Sequence, residues 1–280
     1  MQRKRLEDMN LLDDFLFNAV MTFPGIGERF CRLLLQVVLG REIGRLRVVA
    51  QRAFGGRDEG FRGARLDVLA EEELMDVLAD PSVFDIEPDN NGDVVSLKDL
   101  PKRVRFYHAI IDSRCLKKGE GFGKLKRVFV IFVCSYDPFD RGRMVYTIRN
   151  MCEEIPEMEY DDGLRTVFLN TKGDGAGVPE ELVALLRFLE DTREVNAVND
   201  VLRELLEMVR VVKDDGKVTV AYKKSFEIEQ MWINKGIEQG ISQGIEQGRS
   251  EERANTLREK ARADRLEREL RKLRRGRRDV

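Results

Sequence analysis

The run RVFVIFVCSYD at positions 127–137 constrains this chain more than any other stretch. From Val128 to Cys134 every side chain is apolar, and most are β-branched or aromatic. A strand with one face in water alternates apolar and polar residues, whereas a strand apolar on both faces needs cover on both. The run therefore predicts a central strand buried on both sides, and with it a sheet that carries helices above and below.

The rest of the chain supplies matching pieces. The segment LLDDFLFNAVMTFPGIGERFCRLLLQVVLG near the N-terminus reads as two helices broken at Pro24-Gly25. In the second, Phe30, Leu33, Leu34 and Val37 recur at helical spacing and Gly40 is a stop signal. Three strand candidates follow, RVVAQRAF, ARLDVLA and VFDIE. LPKRVRFYHAIIDSRCL reads as a helix with Pro101 in its first turn and Val104, Tyr107, Ile111 and Cys115 along one stripe. MVYTI and RTVFL are shorter strands, and PEELVALLRFLED and NAVNDVLRELLEMVR are amphipathic helices. The fold class expected is α/β, with a mixed central sheet covered on both sides and a C-terminal helical extension.

The character changes after about residue 230. Glycines recur at 236, 240, 244 and 248, and the segment from Arg249 onward carries a net charge of about +6 against −2 for the whole chain. The expected division is a globular domain over 1–225 and a Gly-repeat, charged helical tail over 226–280. Glycines in line beside Ile237, Ile241 and Ile245 suit close helix pairing, so the tail is expected either to self-associate into a homo-oligomer or to remain a flexible charged appendage, with Trp232 packing its base against the domain.

Composition excludes some classes. The chain is 42% hydrophobic and 36% charged, which suits one sizeable core. No run of roughly 18 apolar residues is present, so no membrane span is expected, and MQRKRLEDMN lacks the apolar stretch of a signal peptide. Cys31, Cys115, Cys134 and Cys152 lie far apart, as buried thiols of a reducing cytoplasm would. His108 is the only histidine and reads as a core or boundary residue, so a zinc cluster is not expected. Gly119, Gly121 and Gly123 lack the spacing of a phosphate loop.

The chemistry lies in carboxylates. In ARLDVLA, alternation sends Leu66, Val68 and Ala70 to one face and Asp67 to the other. In VFDIE, Phe84 and Ile86 share a face opposite Asp85 and Glu87. If the two strands are neighbours, Asp67 and Glu87 converge on one polar face, a hard-oxygen pair suited to Mg²⁺ or Mn²⁺. By spacing alone the plainer reading is two acids on a solvated face, since 51 of 280 residues are acidic.

Read in order, DDFLFNAVM, RLLLQVVLG, RLDVLA, FDIE, LPKRVRFYHAIID, LKKGEGFGKLKRVFVIFVCSYDPFDRGRMVYTI, NMCEE, FLNTKG and GIEQGISQGIEQG resemble the PD-(D/E)XK nuclease family transposases, relatives of bacterial recombination-promoting nucleases. The resemblance implies a three-layer restriction-endonuclease-like core and a Mg²⁺-dependent DNA endonuclease associated with recombination or transposition. It assigns metal binding to Asp67 and Glu87 and a further catalytic acid to Asp14. Lys102, Arg103 and Arg105, with Lys117, Lys118, Lys124 and Lys126 beyond them, are candidates for DNA phosphate contacts.

One departure matters. The family pattern wants Lys, or in many relatives Gln, two residues after the second acid, and this chain reads Glu87-Pro88-Asp89. Asp89 supplies neither a cation nor an amide. It is either a further metal ligand or general base of the site or the mark of a lapsed one, and the alternative function is an inactive DNA-binding or assembly protein on the same fold. Pro88 has no N–H for a sheet bond, so strand pairing is expected to end there or to leave that position unpaired.

Overall fold

The computed structural model describes residues 4–54, 64–73 and 81–276. Two helices, α1 (Asp14–Thr22) and α2 (Gly27–Leu39), precede the strands β1 (Leu46–Phe54), β2 (Ala64–Glu72) and β3 (Ser82–Asp89). Helix α3 (Val94–Cys115) leads to β4 (Arg127–Cys134), β5 (Val145–Ile148) and β6 (Leu164–Asn170). Helices α4 (Glu180–Glu190), α5 (Asp200–Asp214) and α6 (Gly216–Gly276) complete the order. The chain divides into two compact units, residues 1–219 and 220–280.

Among the described residues the strands form one mixed sheet in the order β1-β2-β3-β4-β6-β5. The β1-β2, β2-β3 and β5-β6 pairs are antiparallel, and β3-β4 and β4-β6 are parallel. A parallel pair needs a crossover, and α3 is the crossover between β3 and β4.

β4 sits at the centre, as its composition requires. Val128, Val130, Phe132 and Cys134 are buried on one face, in a cluster with Leu100, Val104, Ile110 and Ile111 of α3. Ile131 and Val133 are buried on the other. That second face continues through Val68, Ala70, Phe84 and Ile86, all buried. Helices α1 and α2 pack on β1, with α4 against α2 and α5 against both.

Local chemistry sets the helix ends. α2 stops at Gly40, whose φ of 62° is the left-handed cap that glycine adopts without penalty. Gly27 opens α2 so close to α1 that a Cβ there would lie 2.1 Å from the Met21 carbonyl oxygen. The α3 helix begins seven residues before Pro101, so Pro101 lies inside the helix and not in its first turn. Asp93 is the reason: its carboxylate accepts the Ser96 N–H at 3.0 Å and starts the helix earlier.

In the second unit, α6 continues as one helix through the glycine repeat. Among the described residues of this unit, a Cβ added at Gly236, Gly240, Gly244 or Gly248 would meet nothing within 4 Å, and Ile237, Ile241 and Ile245 are exposed. Within this unit Trp232 is exposed, with Lys235 of its own helix 5.4 Å from the ring.

Candidate active site

The acids are placed by strand register. β2 and β3 pair antiparallel, with Leu69 opposite Asp85 and Val68 opposite Ile86. The next position sets Asp67 across from Glu87. The backbone ladder ends there, and the Asp67 N–H donates to the Glu87 carboxylate at 2.7 Å. A side chain has replaced a main-chain acceptor one residue before Pro88. On the opposite edge β3 remains paired with β4 through Pro88 opposite Val133 and Asp89 opposite Cys134. Pro88 thus ends pairing on the β2 side only.

Of the four acids on one face, Asp85, Glu87 and Asp89 are buried and Asp67 is half-buried. That face is the one roofed by α3, and β3 is buried at all eight positions. Asp85 is wholly buried, and among the described residues neither of its carboxyl oxygens has a hydrogen-bond donor. Burial, and then the neighbouring Glu87, hold the Asp85 carboxyl well above the usual range. Burial first, and Asp67 second, push Glu87 up to about 8. Two acids two residues apart in a buried strand cannot both ionise cheaply, so their protons are held to higher pH than those of isolated carboxyls. Burial also raises Asp67, against the pull of Arg65 and of the Asn18 amide.

Asp14 joins from the first turn of α1. The Asn90 side chain donates to the Leu12 carbonyl at 2.6 Å and pins the approach to α1 against the end of β3. The Asp14 carboxyl is pushed up to about 6 by desolvation, then by Asp67 and Asp89. Its residue surface is exposed, and water there screens the effect.

The basic residues divide. Lys102 and Arg105 lie exposed on α3, Lys102 with Asp99 at 3.2 Å. Arg103 instead turns inward and pairs with Asp89. Its guanidinium lies 4.7 Å from the Phe132 ring centre and 6.0 Å from that of Tyr107. Burial alone would lower its pKa, but Asp89 more than offsets that and raises it. The Asn91 N–H donates to the second Asp89 oxygen at 2.9 Å. Lys117 and Lys118 are exposed, while Lys124 and Lys126 pair with Glu120 and Glu71. His108 is buried in the core, its Nε2 2.9 Å from Thr166 Oγ1.

Several residues escaped sequence reasoning. Asp85 was visible as a neighbour of Glu87 two positions away, without a role. Asn18 lies one turn after Asp14, and its amide donates to the Asp14 carbonyl at 2.8 Å. Tyr107 lies one turn after Arg103, and burial together with Glu87 raises its pKa. The four-residue spacing was the available signal for both.

Among the described residues no three His, Cys, Asp or Glu side chains are gathered as a ready metal-ligand set. The donor chemistry nevertheless suits a hard cation. The oxygens are carboxylate, and among the described residues none donates a hydrogen bond to the Asp85 oxygens. Mg²⁺ in particular keeps several waters and is held by one or two carboxylates plus substrate phosphate, rather than by an all-protein cage. No protein-family model matches the chain, and no curated protein and no solved structure matches it either.

Proposed function

We propose that residues 1–219 form a metal-dependent DNA endonuclease core of the restriction-endonuclease-like, PD-(D/E)XK type. The observation that carries this reading is the register that sets Asp67 across from Glu87 on a buried, acid-rich face. Folding gains nothing from such a row. Each buried carboxylate costs free energy unless it is neutralised, so the row makes sense as a preformed place for positive charge.

Asp67 and Glu87 would hold one divalent cation, Mg²⁺ or Mn²⁺, which when bound lowers the pKa of water and offsets charge on a phosphate. The chain's own part is orientation. The Asp67 N–H fixes the Glu87 carboxylate, and α3 packs over the same face of the sheet. Asp14 stands at the exposed rim, where a proton exchanges with solvent. Lys102 and Arg105, exposed on α3, suit phosphate contacts that fix register without reading sequence.

A second reading, an inactive DNA-binding or assembly protein, is favoured by Asp89 where the resembled family has Lys or Gln. A plasmid-nicking assay with Mg²⁺, Mn²⁺ or EDTA separates the two. We expect cation-dependent nicking by the wild type and a loss of about 1,000-fold or more in Asp67→Ala, on the scale of losing a main electrostatic contributor. Nicking by pure Asp67→Ala at the wild-type rate would remove the assignment. Plasmid binding with no nicking by the wild type would favour the second reading.

A further inference from the structure

The missing cation at position 89 has a counterpart on another element. The sheet brings Glu87 beside Phe132 and Asp89 beside Cys134 on β4. Helix α3 crosses the same face, and its Arg103 guanidinium rests on the Phe132 ring, 4.7 Å from the ring centre, while pairing with Asp89. Arg103 therefore stands over the strand position next to Glu87. Among the described residues its buried Nε has no hydrogen-bond partner, so the ion pair leaves part of its donor capacity unused. The neighbouring cations of α3 are not equivalent: Lys102 lies out beside Asp99, and Arg105 is exposed.

Resting on the endonuclease reading, we infer that Arg103 is the fixed positive charge of the site, delivered from α3 in place of a strand lysine, and that Asp89 is its anchor. A guanidinium is planar, always charged and well matched to phosphate oxygens. Stacking on Phe132 and pairing with Asp89 lock its rotamer before substrate arrives, so little reorganisation is needed as charge develops. Asp89 thus belongs to a composite of an acid on β3 and a base on α3. This accounts for an acid at a position where the resembled pattern calls for Lys or Gln.

The competing account is a structural ion pair that merely offsets the buried acids. Moving the charge distinguishes them. Arg103→Ala should lower kcat for DNA nicking about 100- to 1,000-fold, with KM within about threefold. The double variant Asp89→Lys with Arg103→Ala has a cation on the strand but no ion pair. It should recover at least about tenfold over Arg103→Ala, on the same scale of electrostatic effects. Arg103→Lys and Asp89→Asn, checked by thermal melting, should each keep more activity than Arg103→Ala. Mn²⁺ binding, read from the free-ion electron paramagnetic resonance signal, should survive Arg103→Ala and be lost in Asp67→Ala.

Four results would overturn the inference while leaving the endonuclease reading intact. They are wild-type nicking by Arg103→Ala, no recovery in a folded double variant, loss of Mn²⁺ binding in Arg103→Ala, and a folded Asp89→Asn as inactive as Arg103→Ala. If the double variant fails to fold, the ranking of Arg103→Lys and Asp89→Asn above Arg103→Ala decides. A wild type that nicks no DNA with either cation overturns both.

Discussion

Strands β3 and β4 lie side by side, in parallel and in register, and both are buried along most of their length. Phe84 and Phe129 even stack across the pair, with ring centres 5.4 Å apart. Their chemistry is opposite on the face beneath α3. β4 places Val130, Phe132 and Cys134 there, and β3 places Asp85, Glu87 and Asp89 in the matching positions. Each large apolar side chain buried on β4 stabilises the fold by roughly 1.5–3 kcal/mol. The acids of β3 take the same kind of space and oppose folding unless protonated or paired. On this face one strand adds apolar packing, and its neighbour adds acids whose burial is offset only by protonation and by the Arg103–Asp89 pair.

Extending the acid row onto β4 is the harshest test of that contrast. Val130 lies opposite Asp85, so Val130→Asp would add a carboxyl beside one that already lacks donors. We expect a cost of several kcal/mol, comparable with the roughly 5–15 kcal/mol that stabilises a typical domain. Circular dichroism should then show no cooperative melting. A variant that melts within about 5 °C of the wild type would break the comparison, because β3 and β4 would tolerate acids alike.

The reverse change on β3 should stabilise. Glu87 has its pKa raised to about 8 in the folded state, from an ordinary value of 4.5. Between those values the folded protein binds more protons than the unfolded chain, so stability falls as pH rises through the window. The metal-free protein should therefore melt higher at pH 5.5 than at pH 8. Glu87→Gln, which keeps an oxygen for the Asp67 N–H, should raise the pH 8 melting temperature by roughly 4–8 °C, for a gain on the order of 2 kcal/mol. It should also flatten the pH dependence. A variant no more stable than wild type at pH 8 would mean that the row carries no net repulsion.

How far these features were legible depends on which physics fixes them. Burial of β4 on both faces followed from seven apolar residues in a row. The break between α1 and α2 followed from Pro24-Gly25, and the segments of β2 and β3 from local composition. Pairing of β2 with β3 was only assumed, because register is a tertiary property that two short segments do not encode by themselves. Alternation put Asp67 and Glu87 on one face but said nothing of what covers it, and α3 turned an expected polar face into a buried one. Lys102, Arg103 and Arg105 looked alike in the chain. A helix sends positions two apart in different directions, and only Arg103 points at the sheet. The start of α3 was read from Pro101, but the Asp93 cap and packing against the sheet outweigh the roughly 3 kcal/mol that an internal proline costs.

The smallest expected effect sharpens the comparison most, because it asks whether the cost of β3 is recovered by a ligand. If Asp67 and Glu87 receive a divalent cation, its binding to the folded state alone adds stability that grows with concentration. At ten times the dissociation constant the gain is about 1.4 kcal/mol, or roughly 3–5 °C for a domain of this size. Mg²⁺ or Mn²⁺ should thus raise the melting temperature at pH 8. At pH 5.5 protons hold the Glu87 carboxyl, the cation must displace them, and the shift should shrink. Asp67→Asn and Glu87→Gln should lose the shift at both pH values, whereas Val145→Thr on the edge strand β5 should keep it. An equal shift in wild type and Glu87→Gln would place the cation elsewhere on the chain. The acids of β3 would then be a cost with no ligand to offset it.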